Sequence, residues 1–207
     1  MKRHLKVALL FALTAVIFHA PGLQSGEPRP NLAEPQYNEK GELKRPADYR
    51  AWVFVGSNLG LQYRKERPET TDPQKERRKE EESGGFHNVY INAEAYEHYK
   101  RTGKFPEKTM LVMDVYEAKE KEPKNIVSKG FFPGNQLHFE VAVKNSMRPD
   151  GSKTDWAYYA FPPNQATAKA FPDSACYQCH LKHADDDNVW VQFYPTLRMH
   201  KKQEGPR

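Results

Sequence analysis

Alternation of apolar and polar positions is the first order visible along the chain. Over residues 136–144, Leu137, Phe139, Val141 and Val143 fall on one side and His138, Glu140 and Lys144 on the other, the period-two pattern of a strand. A Pro149-Asp150-Gly151 turn then leads into an aromatic run at 156–161, so the two segments predict a hairpin. Upstream, residues 109–118 read as a strand with Leu111, Met113 and Val115 on one face. Another strand, 86–91, is entered through Gly84-Gly85, and 49–61 reads as a helix end or turn that runs into a first strand. One segment, 93–101, switches to helical spacing. Asn92 stands at its N-cap, Gly103 where a C-terminal glycine is wanted, and Pro106 just beyond. Residues 166–170 predict a short helix and 189–194 a last short strand. Together these elements predict an α+β fold, mainly antiparallel β-sheet with flanking helices and a C-terminal helix.

The flanks divide the chain further. Residues 1–25 read as a signal peptide: Lys2, Arg3 and Lys6 form a positive start, and 7–18 an apolar run shorter than the ~20 residues a membrane span needs. An anchor is the other reading of this segment, and cleavage after Ser25 fits it better than cleavage after Ala20. Residues 26–48 are polar and Pro-containing, an N-terminal arm that is either mobile or laid over the surface. One domain is expected over 49–200, with a polar tail at 201–207. Residues 64–82 are almost entirely charged or Pro/Thr, a solvated stretch with ion pairs within the chain.

Charge narrows the partners. The formal net charge of +5 includes the three cations of the leader, leaving +2 for the remainder. Nucleic acid is not an expected partner, since no clustered basic surface is encoded. Two cysteines in an exported protein would ordinarily pair, but theirs is a different spacing: Cys176-Tyr177-Gln178-Cys179-His180 is the C-x-x-C-H pattern of c-type haem attachment. One helical turn presents two thiols to the two vinyl groups of a haem, and the adjacent imidazole reaches the iron from the same side. A structural zinc site would need a second Cys or Cys/His pair, which the sequence lacks; a thioredoxin-like site would need a βαβ setting. The expectation is one covalently attached haem c with His180 as proximal iron ligand, and the C-terminal helix is a haem-attachment helix. His183, three residues on, should point away into solvent.

A late C-x-x-C-H on a β-rich chain resembles the cytochrome P-460 family, which includes the cytochromes c′-beta. Gly-Gly-Phe86-His87-Asn-Val-Tyr90, Lys100-Arg-Thr-Gly103-Lys104-Phe105-Pro106, the strand from Thr109, the Trp156 strand and the tail from Asn188-Val-Trp190 to Leu197 carry the likeness. The resemblance implies a homodimer of antiparallel sheets with the haem packed between sheet and C-terminal segment. It also implies that hydroxylamine-oxidising members bear a haem-linked lysine on the strand after Gly-Lys-Phe-Pro. Here residues 109–116 contain none; Met113 aligns with the linking position, and a two-residue slip would place Val115 there. Lys108 and Lys119, at the strand ends, read as solvated. The chain therefore resembles a member without the cross-link.

Met113 has three readings: a core methionine that fills a gap, a distal thioether ligand of a six-coordinate electron carrier, or an apolar cap over an open iron. Phe86 is a further candidate for the distal wall. An apolar, Met-containing distal side favours a neutral, NO-like ligand over an anion. His138 and Glu140 fall on the polar side of their strand, away from the haem unless that side faces it, and Asp114 points opposite to Met113. The expected function is a periplasmic mono-haem cytochrome that binds a small gaseous or nitrogenous ligand, or passes electrons to a redox partner protein. A haem enzyme with peroxidase or hydroxylamine-oxidising activity is the alternative, and a positioned acid/base group would favour it.

Overall fold

The computed structural model describes residues 33–61, 84–120, 130–162 and 164–201. The chain divides into two units, 1–31 and 32–207, and every described residue lies in the second. The leader, the first part of the arm, the charged stretch 64–82 and most of the tail fall outside the described residues.

Seven strands occur among them: β1 (Leu43–Lys44), β2 (Val53–Leu59), β3 (Gly85–Ile91), β4 (Met110–Glu120), β5 (Phe131–Lys144), β6 (Trp156–Phe161) and β7 (Thr167–Ala168). The helices are α1 (Ala93–Thr102), α2 (Tyr177–His183) and α3 (Pro195–Arg198), with 3-10 turns at Tyr49–Ala51 and Val191–Phe193. Strands β2 to β6 form one antiparallel sheet in sequence order, and β1 pairs with β7 in a separate two-stranded ribbon. The expected α+β architecture with a mainly antiparallel sheet is what forms.

Both faces of the sheet are covered, and alternation sorts the residues between them. Leu43, Tyr49, Met110, Val112, Phe139, Val141, Tyr159 and Phe161 make the core on one face. Val55, Val89, Ile91, Leu111, Trp156 and Tyr158 face the other way, against Tyr99 of α1 and the C-terminal residues Val189, Val191, Tyr194 and Leu197. We call the second the inner face, because Cys176, Tyr177 and Trp190 pack against it as well. The C-terminal segment crosses β2 closely at Gly56, where a Cβ would lie 3.1 Å from Pro195 Cδ and 3.3 Å from the Phe193 carbonyl. A larger residue there would push the C-terminal segment outward by a few tenths of an ångström.

Three local expectations need correction. Residues 166–170 do not form a helix; five residues are too few to repay helix nucleation, and β-branched Thr167 pairs instead with Lys44, while Arg45 N–H donates to the Ala166 carbonyl at 2.8 Å. This pairing fixes the described part of the arm, with Leu43 fully buried. Residues 189–194 do not form a strand: Val189 and Val191 are both buried, which mimics period two, but the chain turns back on itself and opens α3 at Pro195. Asn92 occupies the N-cap position of α1 without capping it. Its Oδ1 accepts Met110 N–H at 2.8 Å and its Nδ2 donates to the Ala33 carbonyl at 3.2 Å, so it ties helix, strand and arm together. Gly103 ends the helix as expected, left-handed at φ 69°.

Candidate functional site

The inner face meets the C-x-x-C-H segment at α2. Cys176 is the N-cap residue of this helix, and His180 N–H donates to the Cys176 carbonyl at 3.1 Å. Spacings of three and four residues put Cys179 and His180 on the side of the helix that Cys176 begins. Both cysteines are free thiols and half-buried. Burial pushes the Cys176 thiol up, and the Glu140 carboxylate nearby pushes it further. His183 is exposed, as the sequence predicts.

The imidazole of His180 is held in one tautomer. Nδ1 lies 2.8 Å from the Asn188 carbonyl oxygen, which can only accept, so Nδ1 carries the proton. The Trp190 indole N–H donates to Nε2 at 3.1 Å, so Nε2 carries the lone pair. Burial lowers the His180 pKa against the opposing pull of the Asn188 carbonyl, which keeps the ring neutral. A neutral imidazole with its Nδ1 proton on a carbonyl is the form that ligates a metal through Nε2. Iron would use the lone pair that Trp190 now caps. Two cysteines on one helical face beside this ring therefore fit a covalently held haem.

A strained turn supports the ring. Asp187 and Asn188 both have positive φ, at 43° and 61°. Tyr99 O–H donates to Asp186 Oδ2 at 2.8 Å, and Lys144 Nζ and Trp156 Nε1 donate to Asp187 at 2.6 and 3.2 Å. The Asp186 carboxyl is raised by burial, and burial with the Asp186 contact raises the Tyr99 hydroxyl well above its ordinary range. Tyr158 and Trp190 flank the imidazole, with ring centroids 4.4 and 5.1 Å from it. The anchoring roles of Asp186 and Asp187 did not stand out in the sequence, since a run of three aspartates reads as solvated loop.

Strand register settles what shares the inner face with this helix. Met113 lies there, packed against the same core that Cys176 packs against. It pairs across β4–β5 with Glu140, and Val115 pairs with His138 on one side and His87 on the other. Residues opposite one another in a ladder project to the same face. Glu140, His138 and His87 therefore lie on the inner face, and the expectation that this side is apolar is corrected. The physical reason is that Phe139, Val141 and Val143 serve the outer core, which leaves His138 and Glu140 to the inner face, while Leu137 falls at a register shift of the ladder and is 44% exposed. His138 Nε2 is 3.4 Å from Glu140 Oε1. Burial raises the Glu140 carboxyl above its usual range while His138 opposes the rise, and burial with the neighbouring His138 lowers His87.

Phe86 is the other correction. It pairs with Tyr116 and alternates away from His87 and Val89, so it projects to the outer face with Tyr90 and does not stand beside Met113. Asp114 is on that outer face too, nearly fully buried, where Tyr49, Arg50, Tyr116 and Gln136 all donate to its carboxylate. This network braces β4 behind Met113 and takes no part on the inner side. Lys108 and Lys119 are 60% and 42% exposed and pair with Glu34 and Glu117, away from the inner core.

Among the described residues, no helix is long and apolar enough to cross a membrane. A family model described as Cytochrome P460 matches residues 46–191, most of the chain and all of the Cys176/Cys179/His180 motif. No curated protein matches the chain.

Proposed function

The chain belongs to the cytochrome P460 family and is a haem-binding cytochrome; from that premise we propose that it is an exported, periplasmic protein carrying one haem c on Cys176, Cys179 and His180, which binds a small nitrogenous ligand or peroxide and moves its protons. When bound, the haem supplies an iron that exchanges single electrons and takes a small ligand. The placement of Cys176, Cys179 and His180 along one side of α2 and the fixed tautomer of His180 support the attachment. The observation that carries the activity is the Glu140–His138 pair, on the same sheet face as Met113. An ionised Glu140 accepts a proton from an N–H or O–H of the ligand, and His138, 3.4 Å away, favours that ionised form. Such a pair favours an enzyme, peroxidase-like or hydroxylamine-oxidising, over a passive carrier. Electrons pass to a redox partner protein.

A second reading keeps the protein as a binder of an NO-like ligand or an electron carrier, and the packing of Met113 against the apolar inner core favours it. The optical spectrum of the ferrous protein tests both. Lysine is missing from the middle of β4, and Lys119 pairs outward with Glu117, so the porphyrin keeps its full conjugation. The expected spectrum lacks the strong red shift of a cross-linked haem, and Met113→Ala should leave the coordination number unchanged while speeding ligand entry. A new open position and a lower potential in that variant would make Met113 sulfur the sixth ligand and favour the carrier.

The outer end of the β4–β5 hairpin supports a homodimer. Phe131 and Phe132 pair with Glu120 and Lys119 beyond the reach of β3, and they are 58% and 44% exposed. Adjacent apolar rings this exposed favour a partner surface. Replacing both with serine is expected to convert a dimer into a monomer in light scattering; an unchanged mass would place the interface elsewhere.

A further inference from the structure

We propose that Tyr158 tunes the iron by sharing the Asn188 carbonyl with His180; the inference rests on the haem reading of His180 given above. The Asn188 carbonyl oxygen receives two donors, His180 Nδ1–H at 2.8 Å and the Tyr158 hydroxyl at 3.3 Å. A carbonyl has two lone pairs, so both bonds form at once. They also compete, because density drawn toward the tyrosine proton is density withheld from the imidazole proton.

The geometry makes this a built arrangement. Asn188 is buried and left-handed at φ 61°, a conformation asparagine tolerates and most residues avoid, and it turns the carbonyl toward both donors. The turn is closed by Val189 N–H on the Asp186 carbonyl at 2.7 Å and anchored through Tyr99, Lys144 and Trp156. Tyr158 comes from β6, an element independent of that turn, and its ring packs 4.4 Å from the imidazole. A strong acceptor on Nδ1–H lends the ring imidazolate character, which strengthens its donation to a metal and favours the oxidised iron. Tyr158 weakens that acceptor and so holds the potential up. It is a positioning residue: its hydroxyl acts on the iron through the Asn188 carbonyl and His180.

The test compares wild type, Tyr158→Phe and Tyr99→Phe, all as haem-loaded protein. Phenylalanine at 158 keeps the ring against the imidazole and removes only the hydroxyl. Phenylalanine at 99 removes one anchor of the turn, the bond to Asp186, and leaves both donors on the Asn188 carbonyl. Tyr158→Phe is expected to raise the iron–histidine stretching frequency of the ferrous protein and to lower the midpoint potential, which reads the same change wherever a sixth ligand hides the vibration. Tyr99→Phe is expected to leave both near wild type. An unshifted potential in Tyr158→Phe, or equal shifts in both variants, would overturn the proposal, the second pointing to general loosening. Intact mass separates this from failure of the underlying reading, since a wild-type chain without haem removes both.

Discussion

Serine at both Cys176 and Cys179 is expected to abolish covalent haem retention completely. Wild-type protein should show the polypeptide plus one haem by intact mass, with no titratable thiol and no haem extracted into acidified organic solvent. The double variant should release all of its haem under the same treatment. The reason is local: the motif brings two thiols and one neutral imidazole to one side of a helix of seven residues, and only the thioethers survive acid, which protonates His180 and removes its lone pair. Single variants should each retain one link, so their haem stays with the chain but with one vinyl group unreacted. Extraction of haem from the wild type would sink the attachment, whatever the family.

Glu140→Gln is expected to carry the second largest effect, a loss of about 10²–10⁴-fold in turnover of hydroxylamine or peroxide, the usual contribution of a positioned acid/base group. The pH profile makes the assignment specific. A carboxyl must be ionised to accept a proton, and burial holds that of Glu140 above its ordinary range, so wild-type activity should fall with acid at a pH above the ~4.3 of a free glutamate. The glutamine variant should lose this limb altogether. His138 favours ionisation of Glu140, so His138→Phe should move the limb to higher pH without erasing it. A limb that survives in Glu140→Gln would assign proton transfer to another group.

Much of the fold and of the site is legible in the sequence. Period two in β4 put Leu111, Met113 and Val115 on one face, and Gly103 marked the left-handed end of α1, because both signals are local and steric. The C-x-x-C-H spacing is a chemical requirement written in five consecutive residues. What alternation cannot state is which face of a two-sided sheet meets a distant helix. The apolar side of β5 looked like the core beside the site, yet with both faces covered it packs outward, and Glu140 and His138 gain the inner position. Asn188 was illegible for a related reason, since its carbonyl is identical in every residue and only the turn aims it. Short segments failed in the opposite direction: at 166–170 and 189–194 the pattern was compatible with an element that the available partners did not support.

The β1–β7 ribbon imposes an order of events on the making of the protein. Leu43 pairs with Ala168, so this clasp closes a loop containing the whole five-stranded sheet, and contacts so distant in sequence form late. It cannot close until the chain has been delivered almost as far as Cys176. On the reading that haem is attached at Cys176 and Cys179, the segment is more accessible to attachment before the ribbon beside it closes than after. Once the clasp shuts, β7 is anchored a few residues ahead of the motif. On that reading, the register of two short strands decides when the motif becomes fixed on its N-terminal side.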